Sequence, residues 1–179
     1  MTNINTNFKE AISLEILNVI SKASKLLAID SYVIGGFVRD FFLKRGTAKD
    51  IYIVAVGSGI ELAEKVASLL PNKPKVQVFK TYGTAMLRYR DIEIEFVGAR
   101  KESYSKESRN PEVTEGTLKD DQNRRDFTIN AMALSLNGNN FGELLDPFNG
   151  IEDLQNKTIK TPLNPDITYS DDPLRMMRA

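Results

Sequence analysis

Apolar residues recur at helical spacing through the first part of the chain. Ile12, Ile16, Val19, Ile20, Ala23 and Leu27 share one side of a 3.6-residue period, which predicts an amphipathic helix over residues 8–28. Residues 31–34 are β-prone and stop at Gly35-Gly36. Residues 37–43 read as a helix, closed by Lys44-Arg45-Gly46. The run 50–56 is apolar and β-branched, the pattern of a buried strand. Ser58-Gly59 leads into a helix to Leu70, and Pro71 and Pro74 mark its exit. Three strands are predicted at 76–79, 84–89 and 92–96, with Arg90-Asp91 at a tight turn between the last two.

The pattern then fails. Residues 101–121 are polar, rich in Ser, Glu and Lys, and without period, which predicts a long mobile loop. Residues 126–130 are expected to be helical and 132–136 a strand. The stretch 137–140 is a turn, and Leu144-Leu145 continue a strand that Asp146-Pro147 ends. Asn149-Gly150 opens a short helix through Leu154, and 161–165 is a connector. Ser170-Asp171-Asp172-Pro173 has the composition of a helix N-terminus, so a helix is expected from there to Ala179. Strands and helices do not alternate regularly. The order fits an α+β domain, a mixed sheet flanked by helices, better than a doubly wound one.

Composition narrows the chemistry. A chain of 179 residues suits one compact domain with a real core, or one domain and the start of another. The formal net charge is zero, so no global basic field attracts nucleic acid, and any such binding needs a local patch. There is no cysteine and no histidine, which excludes disulfides, thiol chemistry and histidine-based zinc sites or general bases. No apolar run reaches membrane-spanning length and no signal-peptide core is visible, so a cytoplasmic protein with no membrane partner is expected.

Two segments carry candidate chemistry. Residues 35–54 read GGFVRDFFLKRGTAKDIYIV. Glycines between a strand and a helix allow backbone N–H groups to approach a phosphate, and Arg39 lies three residues beyond Gly36 on the same side of the helix. Taken alone, Gly35-Gly36 is more often a plain tight turn. Further on, Asp50 and Tyr52 are two apart in a strand and face the same way. Two carboxylates so placed hold divalent ions in phosphoryl transfer, but only Asp50 is an acid. On the strand after Arg90, Asp91, Glu93 and Glu95 share one face, the usual pattern of a solvated face. Residues 124–133 read RRDFTINAMA, in which Arg125 and Asn130 can reach a nucleotide and Asp126 can cap a helix or orient an arginine. Near the end, Asp172, Arg175 and Arg178 fall close to one helical face.

Together these segments closely resemble the head of the class II template-independent nucleotidyltransferases, the family of tRNA CCA-adding enzymes and bacterial poly(A) polymerases. The resemblance runs from about Val33 to Ala179. It implies the nucleotidyltransferase fold shared with DNA polymerase beta. It also implies transfer of a nucleoside monophosphate from ATP or CTP to an RNA (tRNA) 3′ hydroxyl, with Mg²⁺ as cofactor. Carried over by motif position, Gly35, Gly36 and Arg39 would hold the triphosphate, and Asp50 would ligate the metal. Glu95, five residues before Arg100, would be the third acid, with Glu93 a weaker candidate. Arg125 and Asn130 would contact the nucleotide, and Asp172, Arg175 and Arg178 would close the pocket. Residues 1–165 would form the head and 166–179 the start of a helical neck, truncated here. Asp146 to Leu154 also resembles a family segment and reads as structural. One residue departs from the pattern: the family has Asp-x-Asp where this chain has Asp50-Ile51-Tyr52. That departure implies an impaired transferase or a nucleotide-binding protein without transfer activity.

Overall fold

The computed structural model describes residues 8–46, 49–105 and 108–179. A 3₁₀ turn, Lys9–Ile12, precedes helix α1, Glu15–Leu27. The predicted first helix is therefore interrupted at Ser13-Leu14, but its apolar stripe is buried as expected, with Ile12, Ile16 and Ile20 fully enclosed. Then come β1 (Asp30–Ile34), α2 (Gly36–Phe42), β2 (Asp50–Val56) and α3 (Gly59–Leu69). Ser58 caps α3, accepting from the Glu61 N–H. A meander follows: β3 (Val76–Phe79), β4 (Thr84–Tyr89) and β5 (Ile92–Gly98).

These strands, with β8 (Ala133–Ser135) and β9 (Leu144–Leu145), form one seven-stranded sheet ordered β3-β4-β5-β2-β1-β8-β9. Every neighbouring pair is antiparallel except β2 and β5, which run parallel. The α+β expectation holds. One face of the sheet carries Val33, Ile51, Ile53, Ile94 and Phe96 into the main core, packed with residues of α1 and α3. The other face carries a smaller cluster of Ile34, Val54, Val97, Ala99 and Ala133, joined by Leu118. Strand alternation produces this division, since neighbours in sequence point to opposite faces.

The stretch 101–121 is not the long loop its composition suggests. Arg100–Ser105 (β6) and Ser108–Glu115 (β7) pair as an antiparallel hairpin, with Arg100 opposite Glu115 and Lys101 opposite Thr114. Residues 106–107 lie outside the described residues. A two-stranded ribbon is held by its backbone ladder and needs no apolar period, so polar composition conceals it. Leu118–Asn123 (α4) follows, opened by a capping box in which Thr117 and Asp120 satisfy each other's N–H groups. The helix expected at 126–130 shrinks to one 3₁₀ turn, Thr128–Asn130.

After β9, the Asp146 carboxylate accepts from the N–H groups of Gly150 and Ile151 at 2.7 and 3.0 Å, and so starts α5, Gly150–Gln155. The connector ends in a helix absent from the sequence reading, α6 (Pro165–Asp171), with Asn164 as cap and Pro165 in the first turn. Ser170 and Asp171 thus end a helix instead of opening one. Asp172 caps a separate 3₁₀ segment, Pro173–Arg178.

Candidate active site

The strand-to-helix turn after β1 is built on Gly35, whose φ of 83° lies where side-chain-bearing residues are strained. A Cβ there would stand 3.7 Å from Arg125 Nη1 and 3.8 Å from the Asn130 carbonyl oxygen. Those are ordinary contact distances, so the backbone conformation and not the space calls for glycine at this turn beside the segment 124–133. Arg39 on α2 donates through Nη1 to Asn130 Oδ1 at 2.9 Å and through Nε to Asp40 at 2.9 Å. Asn130 in turn donates to Asp126 Oδ1 at 3.0 Å, and Asp126 also accepts from the Phe127 N–H. Arg178 reaches the other oxygen of Asp126 at 3.5 Å. Arg39, Asn130, Asp126 and Arg178 therefore form one chain of contacts from α2 to the C-terminal segment.

Arg124 and Arg125 share a single anchor. Asp121 on α4 has no exposed surface; one of its oxygens accepts from Arg124 at 2.5 and 3.0 Å, the other from Arg125 at 2.8 and 3.1 Å. Burial pushes the Asp121 carboxyl up, but the charges of Arg125 and Arg124 outweigh it and hold the group below the usual carboxylate range. A buried carboxylate gripped by two forks fixes both guanidiniums against a wall. Gln122, also buried, donates to the carbonyls of Ala131 and Leu145 and ties α4 to the site.

The opposing wall is the sheet. Tyr52 on β2 stands in register beside Glu95 on β5, which is itself beside Met86 on β4. Tyr52 thus faces the Glu95 carboxylate across the strand pair, and the Arg125 guanidinium lies 5.7 Å from the Tyr52 ring centre. Burial and the neighbouring Glu95 push the phenol up to about 12, so it stays neutral. Asp50 faces the same side one pleat away, exposed, with Glu93 as its register partner.

Between these walls lies a cleft of about 1330 Å³. It brings together most of the residues singled out from sequence: Gly35, Gly36, Arg39, Tyr52, Glu95, Arg125, Asn130, Asp172, Arg175 and Arg178. Asp50 is not among the residues that line it. Arg175 is buried, lies 3.9 Å from Asp172 and donates to the Thr168 carbonyl at 3.4 Å. Asp172 also caps the Leu174 N–H. The sequence reading did not single out Asp121, although its spacing of three and four from Arg124 and Arg125 is a helical signal. It also did not single out Phe79 and Tyr82, exposed aromatics at the cleft edge, which no pattern short of the fold marks.

The residues present do not fit a paired-carboxylate metal site. Among the described residues no group of three or more acidic, histidine or cysteine side chains is placed to hold an ion. A phenol occupies the strand position two beyond Asp50, beside Glu95 in register. A neutral phenol is a poor ligand for Mg²⁺.

Similar proteins agree with this geometry. Residues 31–160 match the Poly A polymerase head domain family. An A-adding tRNA nucleotidyltransferase of Aquifex aeolicus is 40% identical over 149 residues, covering 83% of this chain and 18% of that protein. A CCA-adding enzyme of Bacillus velezensis is 38% identical over 169 residues, covering 93% of this chain and 39% of that one. The chain thus spans well under half the length of these relatives. An apo CCA-adding enzyme superposes with a TM-score of 0.83 at 35% identity, over 96% of this chain and 41% of that one. A tRNA nucleotidyltransferase solved with a primer tRNA and an incoming ATP analogue superposes with a TM-score of 0.76 at 34% identity, over 89% of this chain and 42% of that one. With the family match extending from β1 past α5, through the glycine turn, the sheet wall and both paired arginines, this chain belongs to the Poly A polymerase head domain family and has its nucleotidyltransferase fold.

Proposed function

We propose that this chain is the nucleotide-binding head of an RNA nucleotidyltransferase that acts on a tRNA 3′ end, with ATP or CTP as donor, and that Tyr52 impairs its transfer step. The observation that carries the reading is the arginine-walled cleft at the glycine turn. A triphosphate needs several fixed guanidiniums and close backbone approach, and Arg39, Arg125, Arg175 and Arg178 surround one space beside Gly35 and Gly36. Asp121 and Asn130 hold Arg125 and Arg39 in place before any ligand arrives, so little ordering is left for binding to impose. Phe79 and Tyr82 offer ring faces on which a base can stack. Residues 166–179 are read as the start of a helical neck, whose Asp172, Arg175 and Arg178 complete the nucleotide site.

Transfer would join the RNA 3′ oxygen to the α-phosphorus of the donor and release pyrophosphate. The family resemblance assigns Mg²⁺ to Asp50 and its missing partner, with Glu95 as the third acid, and those positions bear on the attacking hydroxyl. A neutral phenol, Tyr52, instead stands beside Glu95. That placement also favours a second reading, a nucleotide-binding protein without transfer activity.

Calorimetric titration of the 179-residue chain with ATP, CTP and GTP tests the shared part of both readings. Binding of all three within tenfold of one another, about 1.4 kcal/mol, is expected, because the rings of Phe79 and Tyr82 can stack any base. Arg125→Ala should weaken binding at least tenfold. Absence of nucleotide binding would overturn the proposal.

A further inference from the structure

We infer that this cleft takes a polyphosphate without a divalent ion, Tyr52 having turned an acid-bearing wall into a support for Arg125. The inference rests on the nucleotide-binding reading above and goes beyond it. Three carboxylates line the cleft among the described residues: Glu95, Asp126 and Asp172. Two of them are already engaged by the protein, and Glu95 stands beside the Tyr52 phenol in strand register. Asp126 accepts from the Phe127 N–H and Asn130 and faces Arg178. Asp172 caps the Leu174 N–H and faces Arg175.

Against them stand six arginines: Arg39, Arg100, Arg124, Arg125, Arg175 and Arg178. The formal excess of three positive charges falls to one when Asp121, buried behind Arg124 and Arg125, and Asp40, paired with Arg39, are included. A divalent cation entering this space still meets net like charge, and Asp126 and Asp172 already have partners. Mg²⁺ also gives up its water reluctantly. A bare triphosphate meets guanidinium forks in a partly dehydrated site, where charge-assisted hydrogen bonds are strong. Binding Mg²⁺ removes two of its negative charges and so weakens that attraction.

Tyr52 takes a positive part in this arrangement. Its ring lies 5.7 Å from the Arg125 guanidinium, and it stands uncharged beside Glu95. A carboxylate in its place would add negative charge beside Arg125 and Glu95, repelling a bare polyphosphate until a cation bridged the two.

Titrating the 179-residue chain with ATP and with inorganic tripolyphosphate, in EDTA and in excess Mg²⁺, tests the inference. Affinity for both anions in EDTA is expected to equal or exceed that in Mg²⁺. Tyr52→Asp should lower ATP affinity in EDTA at least tenfold, with Mg²⁺ restoring it. Tyr52→Phe, which keeps a ring beside Arg125 and adds no charge, should stay closer to the unmodified chain than Tyr52→Asp does in EDTA. The inference is overturned if the unmodified chain binds at least tenfold more tightly with Mg²⁺. It is also overturned if Tyr52→Asp keeps its EDTA affinity, or if Tyr52→Phe is the weaker of the two variants. Binding of neither anion under either condition would sink the nucleotide-binding reading as well, so the two failures are distinct.

Discussion

The two faces of the seven-stranded sheet are made from the same strands and follow opposite rules. On the helix-covered face, Ile51, Ile53, Ile94 and Phe96 pack against α1 and α3, and their identity matters mainly through volume. On the cleft face, Tyr52, Glu95 and Met86 lie in one row across β2, β5 and β4, beneath guanidiniums fixed by Asp121 and Asn130. The first face supplies stability. The second positions charge, and part of that charge is opposed by the buried Asp121. The contrast shows how one strand can serve both ends: β2 alternates core residues with Asp50 and Tyr52.

This contrast can be broken from either side. The largest expected effect is on the core face. Phe96→Ala removes a fully buried ring and should destabilise the chain by about 4 kcal/mol, read as a shift of the denaturant midpoint. A loss under about 1 kcal/mol would mean that this face is loosely packed.

Next is the anchor of the cleft face. Asp121→Asn leaves Arg124 and Arg125 without their shared carboxylate and should cost about 3 kcal/mol, together with nucleotide affinity. Because the folded-state pKa of Asp121 is depressed, its contribution is present above the ordinary carboxylate range, near about 4, and is lost as pH falls through the lower, folded value. Acid unfolding of Asp121→Asn should therefore be less steep than that of the unmodified chain. Equal slopes would show that the pair does not govern the acid limb.

The smallest effect belongs to the cleft edge. Tyr82→Ala should leave stability within about 0.5 kcal/mol, since the side chain is 71% exposed. It should weaken ATP binding by about 1 to 2 kcal/mol, and inorganic tripolyphosphate, which has no base, should be unaffected. Equal weakening of both ligands would argue against stacking.

The two faces also differed in how much of them the sequence disclosed. The core face was legible because burial imposes a period: the stripe of α1 and the strands β2 to β5 follow directly from apolar spacing. The cleft residues were legible chiefly as motifs, and Gly35, Arg39, Arg125 and Asn130 do meet at one place. What remained hidden had no period. The β6–β7 ribbon is polar and held by its ladder, so it passed for a loop. Asp121, within that supposed loop, was missed as the anchor of both arginines. Helix α6 was missed because its start depends on a cap, Asn164, and its seven residues are too few for an apolar stripe.

The central claim, that Tyr52 and not the rest of the cleft limits nucleotide transfer, is tested by one comparison. A polypeptide extended to the length of the relatives, with and without Tyr52→Asp, is assayed for Mg²⁺-dependent addition of labelled AMP and CMP to a tRNA 3′ end. Restoring a carboxylate beside Glu95 should raise the rate by roughly a thousandfold, about 4 kcal/mol in the barrier, with little change in affinity for ATP in Mg²⁺. Equal rates for the two proteins would contradict the account and direct attention to another acid on the same sheet face, Glu93 first.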